Sequence, residues 1–433
     1  MKSEKQRGKM GNTGLRIRRV PLRSNGAPRV AERRTPSLEG MAVVWMVALV
    51  VIPAREATAG QATDLRVDTL DGRVYVSNPD LAVAGRPGDL TLGEELRIGA
   101  VTGDSLTDPA VFGDVIGLAV DDLGRIYVAD GQSHEFRVFD SEGGFLRRFG
   151  RRGEGPGEFA ELGGILLHPS GLWAMDRRAR RLTVFDSLGN VLATTPHHDK
   201  VLNSRSWEPI VNSAGDLFEE DWGSPPWATR IFRVEIQNLG VSVVDTLALA
   251  EVSAPTRTFE SRGPGGSRGI QMVTAPSNAP RWSADWEGNL WYGNSSEFKL
   301  HKTSPTGDTA LTVELRRPPV PLERRQLDSL SEATGFPVAD LPRHRDVLGS
   351  IHVARDGRIW ILDPLWKRRP SVRVSTGWDV FSPEGYHLGR VEPPIPLLSF
   401  PRPVFGNGVI TGVAQDELGI QYVVRLRVGE RRR

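Results

Sequence analysis

From Val115 onward the chain is written in short runs of alternating apolar and polar residues. Val115-Ile-Gly-Leu-Ala-Val120 and Ile126-Tyr-Val-Ala-Asp130 flank Asp-Asp-Leu-Gly-Arg, and Phe136-Arg-Val-Phe139 and Phe145-Leu-Arg-Arg-Phe149 flank Asp-Ser-Glu-Gly-Gly. Such alternation predicts strands with one face buried. Ile126, Val128 and Val138, set among polar neighbours, read as half-buried antiparallel strands. The glycines predict hairpin turns, because a residue without Cβ takes positive φ at no steric cost.

The unit recurs. Gly164-Ile-Leu-Leu-His-Pro-Ser-Gly171-Leu-Trp-Ala-Met-Asp176 and Leu182-Thr-Val-Phe185 repeat the stretch around Gly124, and weaker copies centre on Gly215, Gly288, Gly357 and Gly419. The spacings between these glycines are 47, 44, 73, 69 and 62 residues. Four strands at this period predict the blades of a β-propeller. The longer intervals locate insertions at 251–280, 317–348 and 364–377, rich in Pro, Gly, Ser and Arg. These predict loops over one face, with a short helix within 322–334.

Between the two best copies stands Gly150-Arg-Arg-Gly-Glu-Gly-Pro-Gly-Glu-Phe159, followed by Gly164-Ile. This stretch resembles the NHL-repeat signature. The resemblance implies an all-β chain, a bacterial six-bladed β-propeller of four-stranded antiparallel blades. Gly153-Glu-Gly-Pro-Gly157 precedes a strand and carries Glu154, so it reads as an inter-blade turn rather than a phosphate cradle, with Gly155 the position expected at positive φ.

Closure sets the blade count. The last copy has room for three strands, and Leu96-Arg-Ile-Gly99 resembles Leu146-Arg-Arg-Phe-Gly150, the fourth strand of the best copy. Joining them gives a closing blade from 94–99 and 405–428 and leaves no open ring edge. If Asp71-Gly-Arg-Val-Tyr-Val-Ser-Asn78 founds a blade of its own, the count is seven. The layout is a leader at 1–59, a lead-in at 60–93, the propeller at 94–428 and a basic tail at 429–433.

The leader changes the picture of where the ring works. Met41-Ala-Val-Val-Trp-Met-Val-Ala-Leu-Val-Val-Ile52 follows a basic segment and ends at Pro53. A dozen apolar residues suit a signal-peptide core better than a full span. Ala57-Thr58-Ala59 offers a cleavage site before Gly60; otherwise 41–54 stays as an inner-membrane anchor. Either outcome makes the ring extracytoplasmic, periplasmic or secreted, with membrane contact only through this segment. Residues 1–59 hold 12 basic and 4 acidic side chains, leaving 43 basic and 49 acidic in the rest, a net of −6. An exported acidic domain argues against nucleic acid as a partner. The ring is expected to be a monomer.

Candidate chemistry is sparse. With no Cys there is no disulfide, thiolate metal site or cysteine nucleophile. No nucleophile elbow and no Walker-type loop occurs. Asp130, Asp221, Asn294 and Asp363 recur six residues after the repeat glycine, with Asp176 at five. They read as turn caps, with an axial divalent cation as the alternative. Two functions follow. The first is an exported binding module that takes a protein, peptide or glycan on its loop face, with Trp222, Trp227, Trp366 and Trp378 as the recognition surface and no catalytic residue, metal ligand or cofactor. The alternative is a metal-dependent hydrolase or lyase at the propeller axis, for which Asp114, Asn212, Asp285 and His352 are the candidates.

Overall fold

The computed structural model describes residues 18–19, 65–81, 88–99, 108–196, 208–221, 229–237, 239–249, 256–262, 268–274, 280–303, 307–364, 368–369 and 372–431. Six four-stranded antiparallel blades make up the ring. Blade 1 comprises Val115–Val120, Ile126–Asp130, Glu135–Phe139 and Phe145–Phe149. Blade 2 comprises Leu162–His168, Gly171–Asp176, Arg181–Phe185 and Val191–Pro196. Blade 3 comprises Ile210–Val211, Leu217–Glu220, Arg230–Gln237 and Gly240–Ala248, with Arg18–Arg19 paired on its outer edge. Blade 4 comprises Pro280–Ala284, Leu290–Asn294, Lys299–Thr303 and Thr309–Arg316. Blade 5 comprises Ile351–Val353, Ile359–Leu362, Trp378–Phe381 and His387–Val391. Blade 6 takes Val404–Phe405, Val409–Gln415 and Gln421–Glu430 from the end of the chain and Leu90–Ile98 from near its start. Val423 pairs with Ile98 and Glu430 with Leu90, so the ring is closed by main-chain hydrogen bonds.

The turn between the first and second strands shows why the repeat glycine is there. Asp121 Oδ1 accepts from the amides of Leu123 and Arg125, and Asn212, Asp285 and Asp416 do the same in their blades. That turn needs a left-handed residue three positions on, and Gly124, Gly215, Gly288 and Gly419 have φ of 76°, 88°, 87° and 86°. In blade 2, His168 stands at the Asp position and its Nδ1 accepts the Ser170 amide.

The core lies between blades. One apolar cluster fills each of the six junctions, for example Ile98, Val115, Val128 and Val413 between blades 6 and 1. This corrects the expectation of half-buried strands: Ile126–Asp130 is buried at every position. A second strand has a neighbouring blade on both faces, so its alternation is masked. The outer strand Phe145–Phe149, by contrast, is partly or fully exposed at every position.

The seven-blade alternative fails because residues 71–78 join an existing blade. Arg66–Leu70 and Arg73–Pro79 form a hairpin whose second strand pairs in parallel with Thr309–Arg316, extending blade 4 to six strands. The junction is pinned by Arg317, which contacts Asp80 at 2.6 Å and both carboxylate oxygens of Asp379 at 2.8 Å. Burial pushes the Asp379 carboxyl up, but hydrogen bonds from His387 and Arg317 outweigh it and hold it below the usual carboxylate range. Gly155 also departs from expectation. It is Gly157 that is left-handed, at φ 72°, while the Gly155 amide donates to Glu158 Oε2 at 2.9 Å.

Candidate functional site

Topology sorts the connections onto two faces. The innermost strand of each blade runs from an entry face to an exit face, so the second-to-third and fourth-to-first connections both return to the entry face. The connections at 251–280 and 317–348 join a fourth strand to the next first strand, and 364–377 joins the second and third strands of blade 5. All three insertions therefore belong to the entry face. They include a hairpin of Thr256–Arg262 and Arg268–Thr274, and the helix Arg324–Thr334, which buries Leu327 with Phe336 and Leu341.

The recurrent carboxylates sit at this face as structural ties. Asp130 accepts amide hydrogen bonds from Gly113, Asp114 and Gln132, and Asp176 accepts from Ala160, Glu161 and Ala179. Each also faces an arginine of the third strand, Arg137 at 3.1 Å and Arg181 at 3.7 Å. Three of the four axial candidates, Asn212, Asp285 and His352, line one cavity in the channel, and Asp114 does not. Asp114 lies at the start of blade 1, where burial and then the neighbouring Asp130 raise its pKa. Asn212 and Asp285 are turn residues of the exit side, and Asp285 also pairs with Lys302 at 3.2 Å. His352 lies deep in the channel. Among the described residues no three His, Asp or Glu side chains gather as a metal set.

Two cavities meet in the channel. The larger, about 480 Å³, is walled by the ends of the innermost strands of all six blades on the exit side. Arg355 covers part of its mouth, stacked 4.4 Å over Trp286 and paired with Asp122. The smaller, about 350 Å³, lies at the entry side between blades 3, 4, 5 and 6. Glu208, Pro209, Ile210, His352, Arg402 and Pro403 line both. These residues form a plug between the two ends of the channel.

Arg402 is the centre of the plug. Pro401 and Pro403 fix φ on either side of it. Its Nε donates to His352 Nδ1 at 3.1 Å, and one Nη donates to the Ile351 carbonyl at 2.8 Å and to Ser283 Oγ at 3.3 Å. Its own amide donates to Glu208 Oε1 at 2.5 Å. His352 stacks on Phe405, with ring centroids 4.7 Å apart. Burial first, and the guanidinium second, hold its pKa well below the usual range, so the imidazole is neutral and its Nδ1 accepts. Burial also lowers the pKa of Arg402, with Glu208 opposing. Burial raises the pKa of Glu208 and is partly offset by Arg402. At the smaller cavity burial likewise raises the pKa of Glu220, although the Trp282 indole donates to its Oε2 at 3.1 Å.

Of the four expected recognition tryptophans, Trp222, Trp227 and Trp366 lie outside the described residues. Trp378 departs from the expectation of a loop-borne ring. It belongs to the third strand of blade 5, is 1% exposed, and packs edge-on against Trp360 and Phe405, so it stiffens the cavity wall rather than offering a stacking surface. Trp282, at the start of blade 4, is a partly exposed aromatic of the cavity lining, beside the buried Phe218 and Trp378. Sequence reasoning missed Arg402, Glu208 and Glu220. The one local signal was the Pro-Arg-Pro triplet, which lies outside the repeat.

Residues 107–205 match the DUF5128 family model, described as a 6-bladed beta-propeller. No curated protein matches the sequence. Among solved structures the chain is similar to a member of the duf4221 family from Bacteroides vulgatus, at 9% identity over 80% of this chain and 100% of that one, with a TM-score of 0.43. It is also similar to virginiamycin B lyase from Staphylococcus aureus, at 11% identity over 78% of this chain and 99% of that one, TM-score 0.41. A gluconolactonase from Xanthomonas campestris is similar at 15% identity over 87% of this chain and 99% of that one, TM-score 0.38. With a 6-bladed family model matched by its first two blades, and six four-stranded blades closed by both ends of the fold, this chain is a six-bladed β-propeller.

Proposed function

We propose that the protein is an extracytoplasmic binding propeller that receives its ligand at the entry face, in the smaller cavity beside Arg402. The supporting observation is the coincidence of that cavity with the face to which all three insertions return. Pockets of this size, with apolar walls and a few convergent polar groups, are the usual form of a small-molecule site. On this reading the rim of the entry face contacts the ligand, and Trp222, Trp227 and Trp366, outside the described residues, stay the candidates for stacking. A larger partner, whether protein, peptide or glycan, then places one terminal group in the cavity and the remainder on the rim. The basic leader and apolar run support export.

The test uses the purified full chain in thermal-shift screening against sugars, sugar acids, amino acids and short peptides. A hit should be lost in Ser399→Trp, which fills the smaller cavity from an exposed position. It should persist in Ser213→Trp, which obstructs the larger cavity. A hit indifferent to Ser399→Trp, or no hit at all, removes the proposal.

A further inference from the structure

We propose that the smaller cavity is a site for a small zwitterion of the amino-acid class, with the carboxylate on Arg402 and the ammonium facing Glu208 and Glu220. This rests on the binding reading above and specifies its ligand.

Nε and one Nη of Arg402 are satisfied by neutral acceptors, the His352 ring, the Ile351 carbonyl and Ser283 Oγ. Among the described residues the other Nη has no acceptor, and no carboxylate ion-pairs with the guanidinium. Glu208, the nearest acid, spends Oε1 on the backbone amide of Arg402. A part-buried guanidinium on the cavity wall with one Nη unspent can hold a carboxylate oxygen by a charge-assisted hydrogen bond. Desolvated donors of this kind bind strongly because leaving them unmade is costly.

A purely anionic ligand is disfavoured by the same walls. Glu208, Glu219 and Glu220 line the cavity beside Arg281 and Arg402, so three carboxyl groups share the wall with two guanidinium groups, and burial raises the pKa of Glu208 and Glu220 even with Arg402 and Arg281 beside them. A ligand that brings one positive and one negative group completes both sets of partners. Ile210, Phe218, Leu362 and Leu398 supply apolar wall for a side chain, and Trp282 supplies an aromatic face. About 350 Å³ admits one or two residues, so free amino acids and dipeptides are the two sources of this chemistry.

The experiment is isothermal titration of the full chain with the twenty free amino acids and a set of apolar dipeptides, which separates the two sources. The best probe is then compared with its carboxamide and its N-acetyl derivative. Each derivative should bind about tenfold or more weakly, the effect of losing one buried charged hydrogen bond. Arg402→Lys should abolish the preference for the carboxylate. Because Arg402 plugs the channel, Glu220→Gln provides the second variant: it keeps an acceptor for the Trp282 indole and should shrink the N-acetyl penalty. Equal affinity for the carboxamide, equal affinity for the N-acetyl form, or no binding by any probe overturns the assignment. If a probe binds Ser399→Trp unchanged, the cavity reading itself falls. If Ser399→Trp blocks a probe that ignores both derivatives, only the zwitterion assignment falls.

Discussion

Individual residues carry two expectations that can be measured. Gly157 is left-handed, and a Cβ there would sit 3.0 Å from Val191 Cγ2. Gly157→Val should therefore lower the unfolding free energy by about 1–3 kcal/mol in urea titration, while Gly155→Ala should change it by less, because Gly155 is not left-handed. His301 is the second. Burial, with Lys299 and Arg73 adding to it, pushes its pKa down to about 4, and its Nδ1 contacts Thr312 Oγ1 at 3.0 Å. The unfolded chain binds a proton at this residue below its ordinary pKa of 6.5 while the folded chain resists. The stability tied to neutral His301 is whole above pH 6.5 and drains away as pH falls toward 4. Melting temperatures across that interval should decline, and His301→Gln should make the decline shallower. The same scale explains what the sequence hid. Trp378 looked like a surface residue because Pro-rich and Arg-rich residues precede it, but nothing local announces that the strand after an insertion turns inward. Arg402 was hidden for the opposite reason. One arginine among 48 has no pattern, and only the ring brings it against His352 and Glu208.

Elements were more legible, because each strand is bounded by its own turn chemistry. Helix 324–334 falls within the expected 322–334, and its C-terminal Gly335 is left-handed at φ 73°. The second strand of the hairpin was visible in Asp71–Asn78, yet its partner Arg66–Leu70 and its destination were not. Pairing in parallel with the outer strand of blade 4 is a long-range choice fixed by Arg317, Asp80 and Asp379. Arg317→Ala should remove the guanidinium that the buried carboxylates of Asp80 and Asp379 share. The expected loss is about 3–5 kcal/mol, the range for breaking a buried ion pair. Limited proteolysis should then cut first between residues 66 and 80. Cutting no faster there than in the parent protein would show that strand pairing alone holds the hairpin.

The whole ring was read from its period, and blade 6 shows why the reading needed both ends of the sequence. Its outer strand, Leu90–Ile98, has as its partner Gln421–Glu430. Deleting 421–433 should expose an inner and an outer edge at once and replace one cooperative melting transition, followed by circular dichroism, with a broad one. A truncated ring that melts as sharply as the parent would show that blades 1–5 are self-sufficient. Fusion of residues 1–65 to a reporter active only outside the cytoplasm should give activity; a silent fusion would remove the export assignment. The closing blade also sets a clock on biosynthesis. Strand 90–98 is made early, and its partner emerges more than three hundred residues later. At ribosomal speeds of roughly 5–20 residues per second the early strand waits of order tens of seconds. During that wait the nascent chain can fold blades but cannot lock the circle until the last strand has been delivered.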